Sequence, residues 1–363
     1  MGRIIIHVDL DSFYASLEES RNEKIRGKAV VICMFSGRSE DSGAVSAANY
    51  KARELGIKSG MSIVNAKRLA KGSGDVIFLP ADREYYRTVS DRIMGVLEDE
   101  ADLMQQVSVD EAYLDITEKT RKSWDGAKRI AEEIKERIKR EEYLTCSVGI
   151  GPNKLIAKMA SKHRKPDGLT VIKEEDIEGF LGGLPVSKLH GVGKKTTDAL
   201  SELGVKTVDE LAKTDPMKLE EAFGRNKAKA LHDMALGIDD SPVEGKDARQ
   251  ISRIATLKED TRDVETIFEK IIELTDEMEK KLKGEGVSFR TVSIILIDTH
   301  LKMQTRSETI PQTENVLEIL PVARSLLERF LEENPEKVLR RVGIRVSNLT
   351  REKEKGQRTL FEF

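Results

Sequence analysis

Apolar residues in the first 172 positions occur either in short continuous runs or at helical spacing. Continuous runs of about five residues are typical of buried strands, whereas spacings of three and four are typical of amphipathic helices. The predicted strands are residues 4–8, 29–33 and 145–150, with residues 107–116 forming one strand or two strands around a tight turn. The predicted helices are residues 13–21, 49–55, 62–70 and 127–140. This interleaved order predicts an α/β domain at residues 1–172.

The pattern changes after the tetrapeptide Lys165-Pro166-Asp167-Gly168. Proline fixes φ and glycine accepts a positive φ, so this tetrapeptide predicts a tight turn. Residues 173–237 predict short helices separated by glycines, and the polar residues 238–248 predict a linker.

Residues 249–348 predict a second folded region of a different class. The predicted strands are residues 251–257, 289–298 and 338–348, and the predicted helices are residues 264–283 and 316–333. Strand, helix, strand, turn, helix, strand is an order typical of a compact α+β domain. The charged run at residues 351–356 predicts a flexible tail over residues 349–363. The whole chain is therefore expected to combine α/β and α+β domains.

Composition excludes several classes of protein. Hydrophobic residues make up 39% of the 363 residues, which supplies enough apolar surface for folded cores. No run approaches the roughly 20 apolar residues of a membrane helix, so no membrane association is expected. Cys33 and Cys146 lie in apolar runs, which favours reduced, buried thiols and a cytoplasmic protein. The net charge of −3 arises from 34% charged residues of both signs, which leaves room for a locally basic surface.

Two acidic segments interrupt strand-like sequence. Asp9 follows the first apolar run, and Asp110 and Glu111 interrupt the run at residues 107–116. Buried unpaired carboxylates are costly, and Mg²⁺ bound by carboxylates and phosphate oxygens removes that cost. Two such ions about 4 Å apart would stabilise the attacking and leaving oxygens of a phosphoryl transfer. Each segment also has an ordinary explanation, because Asp commonly caps a helix and Asp-Glu can form the tip of a hairpin.

Further motifs extend these two segments along the chain. They are residues 9–15 (DLDSFYA), 35–38 (FSGR), 43–53 (GAVSAANYKAR), 108–113 (SVDEAY), 147–161 (SVGIGPNKLIAKMAS) and 165–168 (KPDG). Together they resemble the Y family of translesion DNA polymerases, in its DNA polymerase IV branch and with the archaeal members most alike. The resemblance implies a right-hand polymerase with a palm at residues 1–172 and small fingers inserted at about residues 21–79. It also implies a helical thumb at residues 173–237 and a little finger at residues 249–348.

The resemblance implies a DNA-directed DNA polymerase, a nucleotidyltransferase that adds dNTPs to a primer on template DNA. Asp9, Asp110 and Glu111 would hold two Mg²⁺ ions, with the Leu10 carbonyl as a further ligand, while Asp11 would support the turn. The positions matching the family's nucleotide-binding residues are Phe13, Tyr14, Tyr50, Arg53 and Lys165. Small fingers and no room for a proofreading exonuclease imply low fidelity and tolerance of damaged templates. A monomer is expected by the same analogy.

Tyr14 matches the steric gate of the family, whose ring leaves no room for a ribose 2′-hydroxyl. Taken alone, a tyrosine at this position of a helix is also ordinary core packing.

Residues 189–196 (LHGVGKKT) predict a helix-hairpin-helix within the expected thumb. Gly191 and Gly193 would let backbone N–H groups face a DNA phosphate, with the charges of Lys194 and Lys195 beside them. A plain turn between two helices with a glycine cap accounts for the same residues.

The last predicted strand has a basic face. Arg341 and Arg345 fall on one side of it while Val342 and Ile344 fall on the other, and Arg290 lies in another strand. A basic sheet face suits a track for DNA phosphates, and an ordinary solvated face explains the same pattern.

The C-terminal residues Gln357, Leu360, Phe361 and Phe363 resemble the sliding-clamp-interacting box. One 3₁₀-like turn would place Leu360 and Phe363 on the same side, ready to enter an apolar pocket. A terminal strand folded onto the last domain would instead place Phe361 and Phe363 on one face. A clamp partner is the expectation adopted, because exposed aromatic residues otherwise favour aggregation.

Two other functions share part of these signals. A DNA-binding scaffold built on the helix-hairpin-helix would need no acidic site, which Asp9, Asp110 and Glu111 disfavour. A two-metal nuclease would need neither a triphosphate grip nor a sugar gate. A primed template incubated with dNTPs and Mg²⁺ separates the three, because the primer lengthens, shortens or stays unchanged.

Overall fold

The computed structural model describes residues 2–245 and 250–351 of the chain. The chain divides into two compact units, residues 1–35 with 43–246 and residues 36–42 with 247–363. None of the helices in the described ranges combines the length and apolarity needed to cross a membrane.

The first unit contains eight strands and eleven helices within its described residues. The strands are β1 (Ile5–Leu10), β2 (Ala29–Phe35), β3 (Gly43–Ala48), β4 (Val76–Pro80), β5 (Leu103–Gln106), β6 (Glu111–Asp115), β7 (Cys146–Gly151) and β8 (Leu169–Val171). The helices are α1 (Phe13–Arg21), α2 (Tyr50–Glu54), α3 (Ile63–Ala70), α4 (Arg83–Asp99), α5 (Trp124–Glu142), α6 (Lys154–His163), α7 (Ile177–Leu181), α8 (Lys194–Glu202), α9 (Val208–Ala212), α10 (Pro216–Phe223) and α11 (Arg225–Ala235).

A five-stranded sheet in the order β5-β6-β1-β7-β8 forms the centre of this unit. β1 lies in the middle and pairs antiparallel with both β6 and β7. Its side chains are almost entirely buried, as expected for a central strand covered on both faces. The sequence correctly predicts β1 and β7. Residues 107–116 contain the single strand β6 and the connection before it, so the two-strand alternative for this range is wrong, and β5, which pairs with β6, was not predicted.

A separate three-stranded sheet, in the order β3-β2-β4, packs with α2 and α3 around a small core of its own. The strand predicted at residues 29–33 belongs to this sheet and not to the central one. Both helices begin at side-chain caps, since Asn49 accepts from Ala52 N–H and Ser62 from Asn65 N–H. This sheet lies within the segment expected to form the fingers, whose boundaries stay a prediction.

Helix α6 lies directly against the central sheet because β7 contains glycine where the two elements meet. A Cβ atom built on Gly149 would lie 2.1 Å from the carbonyl oxygen of Ala157. No side chain fits in that space, so only glycine allows this approach. One face of α6 is thereby placed against β1 and β7.

The segment after α11 is bound to the central sheet, although the sequence predicts a linker from residue 238. Arg3 donates to the carbonyl oxygens of Asp239 and Ser241, both at 2.9 Å. Asn153 donates to the carbonyl oxygen of Gly237 at 2.7 Å, and Val243 is buried beside Ile5. The described part of this segment is therefore fixed along its length.

The second unit is an α+β sandwich. Its elements are β9 (Gln250–Thr261), α12 (Val264–Glu285), β10 (Val287–Asp298), β11 (Met303–Thr313), α13 (Ile319–Glu333), β12 (Leu339–Ser347) and β13 (Thr350–Arg351). Four strands form a sheet in the order β11-β10-β12-β9, and α12 and α13 cover its apolar face. β13 pairs with the start of β10, so Thr350 and Arg351 are in a strand where the sequence predicts a flexible tail.

Two long elements were not predicted. α4 buries Tyr86, Val89, Ile93 and Leu97 at helical spacing, a signal that seven charged residues in 17 positions obscure. β11 is an exposed edge strand that contains Pro311 and many polar residues, so it lacks the apolar alternation of a half-buried strand.

Candidate active site

The pairing of β1 with its neighbours brings the acidic segments together. Asp9 is the register partner of Glu111 on β6 and of Ser147 on β7. Asp110 lies in the connection between β5 and β6, where its carbonyl oxygen accepts from Leu10 N–H at 2.8 Å. Residues about 100 positions apart in sequence thus meet at one end of the central sheet.

A cavity of about 690 Å³ opens at this end of the sheet. Its walls include seven of the predicted site residues, namely Asp9, Leu10, Phe13, Tyr14, Arg53, Asp110 and Lys165. Tyr50 and Glu111 do not line it. Glu111 instead lines a second cavity of about 640 Å³, together with Tyr113, Lys158 and His190.

Each of the three carboxylates contacts a different partner. Lys165 forms an ion pair with Asp9, Ser108 donates a hydrogen bond to Asp110, and Lys158 contacts Glu111 at 2.6 Å. Across residues 2–245 and 250–351, no three His, Cys, Asp or Glu side chains converge in a way that could hold a metal ion. Hard carboxylate oxygens on adjacent strands nevertheless match the ligands that Mg²⁺ prefers, so the residues fit a divalent cation chemically.

Lys158, on α6, and the neighbouring His7 lie against the Glu111 carboxylate. Lys158 is 5% exposed, and the fully buried His7 places its Nε2 atom 3.5 Å from the same carboxylate oxygen that Lys158 contacts. On its other side, His7 Nδ1 lies 2.8 Å from the Ser161 hydroxyl. Burial lowers the pKa of His7, so its ring is neutral at pH 7.

These neighbours stabilise the ionised form of Glu111. The His7 ring, followed by the Lys158 ammonium, outweighs the effect of burial and lowers the pKa of Glu111 to about 2. Glu111 is therefore a carboxylate throughout the neutral pH range.

The ring of Tyr14 rests on a buried aromatic neighbour. Tyr14 and Tyr86 are stacked, with ring centroids 4.4 Å apart and planes 24° apart. The Tyr86 hydroxyl donates to Glu18 at 2.6 Å, and Arg21 donates twice to the same carboxylate. Burial and the charge of Asp110 raise the pKa of the Tyr14 hydroxyl. The Tyr14 ring thus lines the cavity and is held in position by its stacking on Tyr86.

The basic residues predicted to bind a triphosphate have different surroundings. Arg53 lines the cavity and donates to the carbonyl oxygen of Ala48 at 2.8 Å, while its guanidinium lies 5.1 Å from the Tyr50 ring. The Tyr50 hydroxyl donates to Asp11 at 3.3 Å. Burial and Asp11 raise the pKa of Tyr50 to about 12, so its hydroxyl stays protonated.

The predicted helix-hairpin-helix contains an exposed turn followed by a helix start. Gly191 has φ +83°, which favours glycine, whereas Gly193 has φ −90° and a conformation that other residues adopt. A positive φ thus favours glycine at Gly191 but not at Gly193. Lys194 and Lys195 are exposed and form the first turn of α8.

The second unit carries the predicted arginines on its sheet. Val342, Ile344 and Val346 are fully buried under the helices, which leaves Arg341 and Arg345 on the opposite face. Their cross-strand neighbours there include Ser252, Thr256 and Ser293. Arg290 is exposed beside an irregularity in the pairing of β10 with β11. The predicted clamp-binding residues Gln357, Leu360, Phe361 and Phe363 lie outside the described residues.

Comparison with known proteins gives consistent matches along the chain. The impB/mucB/samB family matches residues 8–162, the C-terminal domain of that family matches residues 248–360, and the thumb domain of DNA polymerase iota matches residues 187–239. The chain is 45% identical to DNA polymerase IV 1 of Methanosarcina mazei over 100% of both chains. It is 37% identical to DNA polymerase IV of Nitrosopumilus maritimus over 99% of both chains.

The chain belongs to the Y family of DNA polymerases. Among solved structures, the Y-family polymerase chimera Dbh-Dpo4(243-245)-Dbh has a TM-score of 0.90 and 33% identity, over 96% of this chain and 99% of that chain. The insertion ternary complex of Dbh DNA polymerase has a TM-score of 0.72 and 32% identity over the same shares. The expected family and fold class are confirmed. Membership of this family also implies that the polymerase depends on divalent metal ions.

Sequence reasoning missed three residues that support the site of this polymerase. Tyr86 and Lys158 touch Tyr14 and Glu111 only in the folded chain, and no local pattern announces either contact. His7 did leave a signal, because a histidine inside an otherwise apolar strand needs a polar partner.

The low pKa of Glu111 predicts a pH-dependent contribution to stability. Its value falls from 4.5 to about 2 on folding, which corresponds to at most about 3 kcal/mol. That contribution is fully present above pH 4.5 and is lost as the pH falls towards 2. We expect Glu111→Gln to unfold more easily than the parent at pH 7, with a difference that shrinks below pH 4.5.

Urea denaturation followed by the fluorescence of Trp124, the one tryptophan of the chain, measures this difference in the first unit. Glu54→Gln, at an exposed glutamate of α2, is the matched control and should show no such trend. A difference between parent and Glu111→Gln that is constant from pH 7 to pH 3 would contradict the expectation.

Proposed function

We propose that this polymerase extends primers past damaged template bases with low fidelity, using Asp9, Asp110 and Glu111 in two-metal nucleotidyl transfer. The 3′-hydroxyl of the primer attacks the α-phosphate of a dNTP, and pyrophosphate leaves. The observation that carries this proposal is the single cavity lined by Asp9, Asp110, Tyr14, Arg53 and Lys165. The acidic groups suit metal ions, the aromatic group suits a sugar, and the basic groups suit a triphosphate.

The carboxylates of Asp9, Asp110 and Glu111, with the Leu10 carbonyl, would hold two Mg²⁺ ions. Such ions supply Lewis-acid stabilisation of the charge that develops on the transferring phosphoryl group. Lys165 forms an ion pair with Asp9 and Lys158 contacts Glu111, so each of these carboxylates has a cationic neighbour. The low pKa of Glu111 keeps it ionised, so it needs no proton loss to take up a ligand role.

The remaining cavity residues would bind the nucleotide. Arg53 offers a planar fork of donors to phosphate oxygens, and Lys165 offers a compact charge that can leave Asp9 for the triphosphate. Tyr50, on α2, adds a protonated hydroxyl, although its side chain is not part of the cavity lining. Phe13 and Tyr14 form the apolar wall against which the sugar would lie.

DNA would be held at two further surfaces, one in each unit. The turn with Gly191 and Gly193, followed by Lys194 and Lys195, suits sequence-independent contact with one backbone. The sheet face with Arg341 and Arg345, together with Arg290, suits a second track of phosphates. We further infer that the polymerase acts as a monomer in the cytoplasm.

Asp110→Ala tests the catalytic assignment. We expect primer extension to fall about 10³-fold or more, because loss of one metal ligand removes several kcal/mol of transition-state stabilisation. Binding of a primed template should not weaken, since the substitution removes a negative charge. A running-start gel measures extension, and fluorescence anisotropy measures DNA binding. Asp91→Ala, at an exposed aspartate of α4, is the matched control. Near-normal extension by Asp110→Ala would exclude the assignment.

Tyr14→Ala tests the sugar gate. Removing the ring opens space beside the sugar, so we expect the preference for dNTPs over rNTPs to drop about 100-fold, measured as the ratio of kcat/KM values. Tyr143→Ala is the matched control, because the Tyr143 side chain is exposed at the end of α5 and does not line the cavity. Unchanged discrimination in Tyr14→Ala would show that another group reads the sugar.

The C-terminal residues Gln357, Leu360, Phe361 and Phe363 support the proposal of a sliding-clamp partner. A short tether raises the local concentration of polymerase on clamped DNA without any new contact in the active site. We expect deletion of residues 357–363 to abolish clamp binding and clamp-stimulated extension, while extension without the clamp continues. Glu362→Gln, within the same segment, should keep clamp binding. Full clamp affinity after the deletion would refute this partner site.

A further inference from the structure

Asp11 lies between the cavity-lining residues Leu10 and Ser12, yet its own side chain is 3% exposed and does not line the cavity. A buried carboxylate is costly unless donors surround it. Asp11 meets this requirement fully, because four donors reach its two oxygens. Four is about the number of lone-pair sites that a carboxylate offers.

Two of these donors come from the central sheet. The Ser147 hydroxyl donates to Oδ1 at 2.8 Å, and the Thr145 hydroxyl donates to Oδ2 at 3.0 Å. The backbone N–H of Asp11 also donates to the Thr145 carbonyl oxygen at 3.0 Å. Asp11 is therefore fixed to β7 and to the residue that precedes it.

The other two donors come from segments that carry proposed triphosphate-binding groups. The backbone N–H of Asp167, in the turn that begins at Lys165, donates to Oδ2 at 2.8 Å. The Tyr50 hydroxyl, on α2, donates to Oδ1 at 3.3 Å. The Lys165 ammonium itself lies 3.9 Å from Oδ1. One carboxylate thus touches both segments at once.

The turn after Lys165 depends on such external contacts. Asp167 has φ +55°, in the left-handed region that residues with a side chain adopt at some energetic cost. Lys135 donates to the Asp167 side chain at 2.5 Å and to the carbonyl oxygen of Cys146 at 2.7 Å. Asp11 holds the backbone of the turn on one side and Lys135 holds its side chain on the other.

We propose that Asp11 is a positioning residue that joins the Tyr50 segment to the Lys165 turn, so that both groups meet the triphosphate of the incoming nucleotide in a fixed geometry. This inference rests on the proposed roles of Tyr50 and Lys165. Asp11 acts through these residues and touches no substrate. Its loss should therefore weaken nucleotide binding more than the chemical step.

The test compares Asp11→Ala and Asp11→Asn with the parent chain in single-nucleotide insertion. Asp11→Ala removes all four acceptor contacts, and we expect the KM for dNTP to rise about 10-fold or more while kcat changes less than about 3-fold. Asp11→Asn can still accept from the Asp167 N–H, and it should recover part of the loss. DNA affinity should be unchanged in both variants.

Thr145→Val is the matched control. It removes a donor to the same carboxylate from a residue outside both nucleotide-binding segments, so its KM should stay within about 2-fold of the parent. A role for Asp11 in folding alone would lower kcat and the stability of every variant and leave the KM unchanged. That result would overturn the inference. If Asp11→Ala does not fold, Asp11→Asn decides, and a parent-like KM in that variant overturns the inference.

The same substitution in a second variant distinguishes a failure of this inference from a failure of the proposed function. In Tyr50→Phe/Lys165→Ala, adding Asp11→Ala should raise the KM less than about 2-fold, because the groups through which Asp11 acts are gone. A full 10-fold rise in that background would overturn the positioning role. If Tyr50→Phe/Lys165→Ala itself kept the parent KM, the proposed triphosphate grip would fail instead.

Discussion

The register of β1 against β6 places Asp9 directly opposite Glu111. The site therefore depends on compensation of two negative charges that face each other. Like charges that face each other across two strands destabilise a sheet. Each carboxylate has its own cation, since Lys165 pairs with Asp9 and Lys158 pairs with Glu111. Both lysines follow β7 in the chain, with Lys158 on α6 and Lys165 in the turn after it. These two neighbouring elements supply the compensating charge. This compensation keeps Glu111 ionised and available to a divalent cation.

Packing makes this electrostatic arrangement possible. Lys158 and Ser161 are three residues apart on α6, so they lie on one face of the helix and reach Glu111 and His7 together. They reach only because Gly149 lets the helix backbone approach β7. A side chain at this position would move α6 outward, and with it the ammonium that pairs with Glu111. The absence of a side chain in one strand thus permits a contact that lowers the pKa of a carboxylate in another.

The sequence was most informative where signals are local. The apolar runs of β1 and β7, the acidic interruptions and the chain of family motifs led to the fold and to most residues of the cavity. It was least informative where a contact joins distant segments. The stacking of Tyr86 on Tyr14 and the binding of residues 237–241 by Arg3 and Asn153 have no local pattern. β11 was missed because an edge strand needs no apolar alternation.

The two sides of the nucleotide cavity are built differently, and this bears on the selectivity that we propose. The Tyr14 side is backed by a chain of stacking, hydrogen bonds and an ion pair that runs from the buried Tyr86 and Glu18 to the exposed Arg21 and holds the ring in place. Another part of the wall consists of Ser46 and Ala47 on β3 and Ser59 in the turn before α3. The sheet β3-β2-β4 has only a small core of its own, although Ala47 also packs against the larger core. Elements with small cores open at lower free energy than well-packed ones. A rigid wall at the sugar and a more yielding wall at the base would exclude ribonucleotides strictly while testing base-pair shape loosely.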